Sequence, residues 1–187
     1  MLELIDKDRD LLLYLNNLGD ASYDPFWLLV TGKWVWIPLY IIFLYLIFKT
    51  YKPKSVIFIL VFIALGITFT DQIAGIFKYG IARLRPCHDE ALIPKMRMIT
   101  CGGQYGFFSS HAANSFFIAS FLSILISHKY RWLPVCIFVW ATIVSYSRIY
   151  LGVHFPMDVI FGALVGTLSG GLFAEITKIV LRKQQSI

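Results

Sequence analysis

The stretch SVIFILVFIALGITFTDQIAGIF, from Ser55 to Phe77, decides the class of fold. Its first two-thirds carries no charge, and about 20 apolar residues in a row are what an α-helix needs to cross a hydrocarbon core of about 30 Å. Outward from it, comparable apolar runs fall at about Phe26–Phe48, Ser109–Ile126, Leu133–Leu151 and Pro156–Leu181, separated by clusters such as Lys52-Pro53-Lys54 and His128-Lys129-Tyr130-Arg131. Thr31, Gly32 and Lys33 interrupt the first of them. The pattern predicts an all-α, polytopic membrane bundle of about five transmembrane helices. Composition agrees: of 187 residues, 58% are hydrophobic, 17% aromatic and only 15% charged. A soluble monomer has no way to bury that much apolar surface. The aromatics exclude a disordered chain, and three cysteines are too few for a disulfide-dense module.

Residues 1–25 join a charged run, Glu3 to Asp10, to the apolar cluster Leu11, Leu12, Leu13, Leu15 and Leu18. That is too short to span and lacks the basic start of a cleaved signal, so an amphipathic helix lying in the interface is expected, a solvated tail being the alternative. Trp27, Trp34, Trp36, Trp132 and Trp140 crowd the span ends, where aromatic belts form. The net charge of +6 points to anionic headgroups or substrates before nucleic acid. One loop is long, residues 78–108, and with five spans it shares a face with the 149–156 turn and the N-terminus. Lys and Arg divide almost evenly between the two faces, so charge alone leaves the orientation open.

Three polar clusters meet on the long loop's face. Lys78 and Arg85-Pro86 leave the second span, Phe108-Ser109-Ser110-His111 opens the third, and Ser147-Arg148 with His154 and Asp158 brackets the last turn. Lys78, Arg85 and Arg148 can neutralise a phosphoryl group, the guanidinium forks doing so bidentately. Ser109 and Ser110 stand where a helix start exposes unpaired N–H groups. His154 and Asp158 are four apart, so the carboxylate can reach back to one imidazole nitrogen and leave the other nucleophilic. His111 can protonate a leaving oxygen. Taken singly each feature is ordinary: a snorkelling anchor, an N-cap, a satisfied histidine, as His88 and His128 are read. Their joint placement is what points to an oxyanion site. By itself the cluster also suits a non-catalytic anion or lipid transporter, although the His154 and Asp158 spacing then goes unexplained. The cradle is shared too with vanadium haloperoxidases, which are soluble and larger.

The order and spacing of these motifs resemble the type 2 phosphatidic acid phosphatase superfamily of membrane lipid phosphatases. The match runs Lys78 to Arg85-Pro86, then Ser109-Ser110-His111, then Ser147-Arg148 to His154 to Asp158. The resemblance implies one membrane-embedded phosphatase domain over residues 1–187, acting on a lipid phosphate or pyrophosphate with its site facing the periplasm or exterior of the cytoplasmic membrane. It implies His154 as nucleophile forming a phosphohistidine, Asp158 as its orienter, and His111 as acid and then base. Lys78, Arg85, Ser109 and Arg148 are implied to hold the phosphoryl oxygens, with Ser110 added through its backbone N–H. No metal or cofactor is expected, and the carboxylates near the site are too few for a two-metal clamp. The family's Pro-Ser-Gly-His reads Phe108-Ser109-Ser110-His111 here, which loosens the turn and adds a side chain beside the phosphate. Phosphatidylglycerophosphate, phosphatidic acid, lipid A phosphate and undecaprenyl pyrophosphate all qualify as substrates, and the small chain leans to the isoprenoid pyrophosphate.

Outside the cluster, Cys87 and Cys101 either close a ring across the long loop, worth roughly 3 kcal/mol in chain entropy, or remain free thiols. Cys136 reads as a small apolar filler. Gly162, Gly166 and Gly170 permit close helix approach, within the chain or between two copies. Asp71 is costly at membrane depth unless partnered by a basic site residue or Lys33, or held by a structural hydrogen bond. Glu175 is given no catalytic role. The oligomeric state is left open.

Overall fold

The structure is a computed structural model and describes residues 2–185. Seven α-helices follow in order: α1 (Leu2–Asn17), α2 (Asp24–Thr31), α3 (Ile37–Thr50), α4 (Pro53–Ile81), α5 (Ser110–Ile126), α6 (Leu133–Tyr150) and α7 (Pro156–Gln185), with short 3-10 turns and no strand among the described residues. Helices α4, α6 and α7 are long and apolar enough to cross a membrane. The α2 and α3 pair, bent by 68°, adds a fourth if the two count as one broken span, and α5 is a shorter apolar helix. The protein is an integral-membrane helical bundle, and a count of five requires both the bent pair and the short helix. The bend falls at the anticipated interruption. Gly32 leaves α2 in an extended conformation (φ −70°, ψ 136°), and the Trp36 indole N–H donates to the Val30 carbonyl at 2.8 Å across the break.

Proline stands in the first turn of α2, α3, α4 and α6, where its missing N–H removes no helical bond and its fixed φ suits the helix. Helix α5 is the hub. Ala112, Ala113, Phe117, Phe121 and Leu125 are almost wholly buried from several sides, as fits a helix that is apolar all round. It packs against α4, α6 and α7. Helix α7 has two opposed stripes. Ile160, Leu164, Leu168 and Leu172 are exposed, while Gly162, Gly166 and Gly170 lie against the backbone of α5. A Cβ on Gly162 would sit 2.5 Å from the Ser109 carbonyl oxygen, one on Gly170 2.5 Å from that of Phe117, and one on Gly166 would collide with the Ala113 carbonyl. Between the two packings considered for these glycines, contact within the chain is the one seen.

Helix α1 buries Leu12, Asn16 and Asp8 and exposes Leu4, Leu11 and Tyr14, spaced so that the exposed residues form one stripe. Asn16 ties it to the bundle end, donating to the carbonyls of Arg97 (3.0 Å) and Tyr150 (2.8 Å) and accepting from the Arg97 amide at 2.7 Å. Arg97 forks onto Asp24 at 2.7 and 2.9 Å. Two expectations need correction. Trp34 and Trp132 are exposed and fit a belt, but Trp140 is buried and Trp27 and Trp36 pack on Tyr150 and Trp140, because the first span folds back across α6. Cys136 is exposed on α6 rather than a filler of the interior.

The α5–α7 contact makes a contrast between two glycines. Gly166→Ala drives a methyl into a backbone carbonyl that cannot swing aside, which outweighs the gain of about 1 kcal/mol in helix propensity and costs about 1–3 kcal/mol net. Gly75→Ala, with nothing within 4 Å of the added Cβ, keeps the propensity gain. Thermal unfolding in detergent should show the first variant melting below the parent and the second at or above it.

Candidate active site

The long loop is organised by a short antiparallel contact. Leu84 bridges Tyr105, the Arg85 amide donates to the Gln104 carbonyl at 3.0 Å, and the Gly106 amide to that of Arg83 at 2.9 Å. Just beyond this contact Cys87 and Cys101 are joined as a disulfide. Ala82, at the end of α4, takes a left-handed conformation (φ 52°), unusual for a residue with a Cβ. It turns the chain so that Arg83 and Arg85, two apart on an extended segment, both face the bundle. Arg85 Nε then donates to the Tyr105 carbonyl at 3.2 Å.

A cavity of about 260 Å³ opens here, lined by Lys78, Arg85, Ser110, His111, Arg148 and His154, with Lys33, Asp71 and Asn114 on its remaining wall. Residues from the long loop, α4, α5, α6 and the last turn therefore come together as the motif spacings suggest. Lys78 Nζ donates to the Ser110 hydroxyl at 2.7 Å, so the side chain that replaces the family's glycine fixes the lysine. Arg148 bonds Thr31, while its Nε is buried with no acceptor among the described residues, a donor that can serve a phosphoryl oxygen. The amides of Ser110 and His111 open α5 and have no intrahelical acceptor. Ser109 stands differently. It is fully buried, its hydroxyl accepts from the Ala112 amide at 3.4 Å, its own amide donates to the Asp158 carbonyl at 3.0 Å, and it does not line the cavity.

Behind the cavity Asp158 is wholly buried. Its Oδ2 accepts from the Phe155 amide at 3.0 Å and lies 3.3 Å from His154 Nδ1, which turns Nε2 away from the carboxylate. Burial, reinforced by the charges of Arg85, Arg148 and Lys78, holds the His154 imidazole well below the usual histidine range, with a hydrogen bond to Gly106 opposing. The ring is thus neutral at pH 7, the state in which nitrogen is a nucleophile. The arrangement can hold a phosphoryl group among cations and offer it an oriented imidazole on one side and a second imidazole on another.

Sequence reasoning passed over four contributors. Arg83 donates to Asp158 Oδ1 at 2.9 Å and to Asp8 Oδ2 at 2.6 Å; its spacing of two from Arg85 is the signal that could have shown it. Asn114 donates to Asp71 Oδ1 at 2.9 Å and accepts from the Thr70 hydroxyl at 2.6 Å; it stands one turn beyond Ser110 on the same face of α5. Asp71 thus has the structural hydrogen bond and still faces the cavity; it makes no ion pair with Lys33 or Lys78. Gly106 carries no sequence signal, and Thr31 signals only the break in the first span, since each matters to the site only through what folds against it. Glu175 pairs with Lys178 at 2.8 Å. Among the described residues, the one group of His, Cys and acidic side chains close enough to share a metal is Cys87, His88 and Cys101, whose sulfurs are spent in the disulfide.

A cationic cavity with two histidines at one end of a membrane bundle has the chemistry expected of the phosphoryl-transfer class. The PAP2 superfamily profile matches residues 57–179, and the chain belongs to that superfamily. It is 40% identical over 187 residues to the lipid A 4'-phosphatase of Bacteroides thetaiotaomicron, covering 98% of this chain and 82% of that protein. It is 29% identical over 144 residues to the undecaprenyl-diphosphatase of Sulfolobus acidocaldarius, covering 77% and 64%. The crystal structure of Aquifex aeolicus LpxE superposes with a TM-score of 0.65 at 26% identity, covering 89% of this chain and 93% of that one. The chain is a membrane lipid phosphatase, and the transporter reading is set aside.

Gly106 offers a test of the geometry. A Cβ there would lie 3.1 Å from Asp158 Oδ2, 3.1 Å from Arg85 Cγ and 3.6 Å from His154 Nδ1. Gly106→Ala displaces the pair that must stay aligned, and kcat in a phosphate-release assay should fall by up to about 10², since misplacement on the scale of 1 Å has that effect.

Proposed function

We propose that this lipid phosphatase hydrolyses the phosphomonoester of a membrane glycolipid of the lipid A kind, through a phosphohistidine on His154, at the outer face of the cytoplasmic membrane. One observation carries the reading. His111 lines the cationic cavity and also an adjoining cavity of about 340 Å³, walled by Trp36, Tyr40, Ile67, Ile118, Trp140 and Val144. His154 lines only the first. In-line displacement sends the leaving oxygen away from the nucleophile, towards the side His111 occupies, and the second cavity receives an apolar or ring-bearing alcohol there.

In the first step His154 Nε2 forms a bond to phosphorus as the bond from phosphorus to the leaving oxygen breaks, and His111 gives that oxygen its proton. Water then attacks the phosphohistidine, His111 takes the water's proton, and inorganic phosphate leaves with His154 regenerated. Lys78, Arg85, Arg148 and the amides of Ser110 and His111 stabilise the charge on the equatorial oxygens. Ser109 acts by capping α5, and Asp158 by orienting His154. The preference for a monoester rests on Asp71. Its carboxylate faces the same cavity and would repel a second phosphate, whereas with Asn114 it offers an acceptor and a donor to sugar hydroxyls. The 40% identical relative is named for lipid A. Lys33 supports a second reading, a lipid diphosphate, since it lines both cavities and has no carboxylate in ion-pair range among the described residues. The outward-facing assignment draws support from the Cys87–Cys101 disulfide beside the site, which suits an oxidising compartment.

The test is phosphate release in detergent, with chelator present, from lipid A, phosphatidic acid, phosphatidylglycerophosphate and undecaprenyl diphosphate. Lipid A should give the highest kcat/KM, and His154→Ala should release none from any of them. A parent enzyme that prefers the diphosphate would overturn the monoester assignment. Independently, Asp71→Asn should raise activity on the diphosphate relative to the monoester by several-fold; an unchanged ratio removes Asp71 from substrate selection.

A further inference from the structure

The N-terminal helix reaches the catalytic carboxylate through a single cation. Asp158 Oδ1 accepts from Arg83 Nη1 at 2.9 Å, and the other fork of the same guanidinium donates to Asp8 Oδ2 at 2.6 Å. The remaining oxygen of Asp8 accepts from the Met157 amide at 2.9 Å, one of the unpaired N–H groups in the first turn of α7. Arg83 also sits over the Phe155 ring, with Cζ 3.8 Å from its centre, so it is contacted from a third direction. Asp158 is wholly buried and Asp8 is 4% exposed.

We infer that Asp8 of α1 is a positioning residue for turnover, acting through Arg83 on the Asp158 carboxylate that orients His154. The inference rests on His154 being the nucleophile. A carboxylate can aim an imidazole only while its own plane is fixed. Oδ2 is shared by the Phe155 amide and His154, so rotation about the Asp158 side chain is resisted chiefly at Oδ1, by Arg83. An arginine held at one fork can still swing. Asp8 holds the second fork, and because it also grips the Met157 amide it references Arg83 to the start of the helix that carries Asp158. Its charge matters as well. Shared between two carboxylates, Arg83 neutralises neither fully, which leaves Asp158 negative charge to stabilise the imidazolium character that develops as His154 bonds to phosphorus. With Asp8 neutral, the whole guanidinium charge falls on Asp158. The two effects of losing Asp8 act in the same direction.

The full chain in detergent, assayed on a lipid phosphomonoester, separates this role from simple support of the fold. Asp8→Asn and Arg83→Gln should each lower kcat by about ten- to a hundredfold, the range expected for small misalignment, with KM within twofold of the parent. Asp8→Glu should recover a substantial part of the loss. The double variant should be no slower than Arg83→Gln alone, because the residues act in series. Arg9→Gln is the control: it removes the 2.8 Å ion pair from α1 to Asp89, loosening the same helix without touching Asp158, and should leave kcat unchanged. The inference is overturned if Asp8→Asn keeps the parent kcat per folded molecule, if KM rises in place of the fall in kcat, or if Arg9→Gln loses as much. Failure of the underlying assignment reads differently: an active His154→Ala variant would dismiss His154 as nucleophile whatever the Asp8 variants do.

Discussion

Everything in the bundle is organised by how closely α7 approaches α5. Three glycines on α7 meet carbonyls of α5 with no side chain between, so the axes come nearer than any pair bearing Leu or Val on both sides can. At the top of that contact the Ser109 amide bonds to the Asp158 carbonyl. This one link sets the start of α5, which carries His111, against the start of α7, which follows His154. A wider separation would leave two histidines on two helices with nothing between them. The apolar bulk of the chain matters less for the site than this narrow seam.

The second governing feature is charge held away from water. Lys78, Arg85 and Arg148 share a small cavity, an arrangement that is costly unless anions are at hand. The protein supplies its carboxylates behind the cavity or at its edge: Asp158 behind His154, Asp8 behind Arg83, and Asp71 on the wall. The cup therefore keeps a positive interior for a dianionic phosphoryl group, while a neutral imidazole waits beside it. Burial and like charges both disfavour a proton on His154, so the field that would draw in an anion also keeps the imidazole in the form a nucleophile needs.

Much of this was legible beforehand. Apolar runs announce helices because only a helix satisfies its own backbone in hydrocarbon, and the spacing of His154 and Asp158 announces their contact because it is one helical turn. The break at Thr31 to Lys33 could be read from its polarity. What escaped notice shares one physical cause. Trp27, Trp36 and Trp140 looked like belt residues because a span end is the same in sequence whether it meets lipid headgroups or a folded-back helix. Ser109 reads in sequence as either a cap or a cradle, because both use the same residue at the same place, and only the folded chain shows its hydroxyl accepting from the Ala112 amide. Arg83 carries no reading in sequence, because the Asp8 carboxylate it holds lies 75 positions away in the chain.

The linear order of residues by itself determined that this chain lives in a membrane, which residues are candidates for phosphoryl chemistry, and which superfamily it resembles, because apolar length and short-range spacing are local properties. The folded molecule alone decided which serine lines the cavity, where a second, apolar cavity adjoins it, and that an acidic residue near the N-terminus stands two side chains from His154. Those facts depend on contacts between residues up to about 150 positions apart, such as Asp8 with Met157, and no local pattern encodes a contact whose two halves are chosen by how the helices pack.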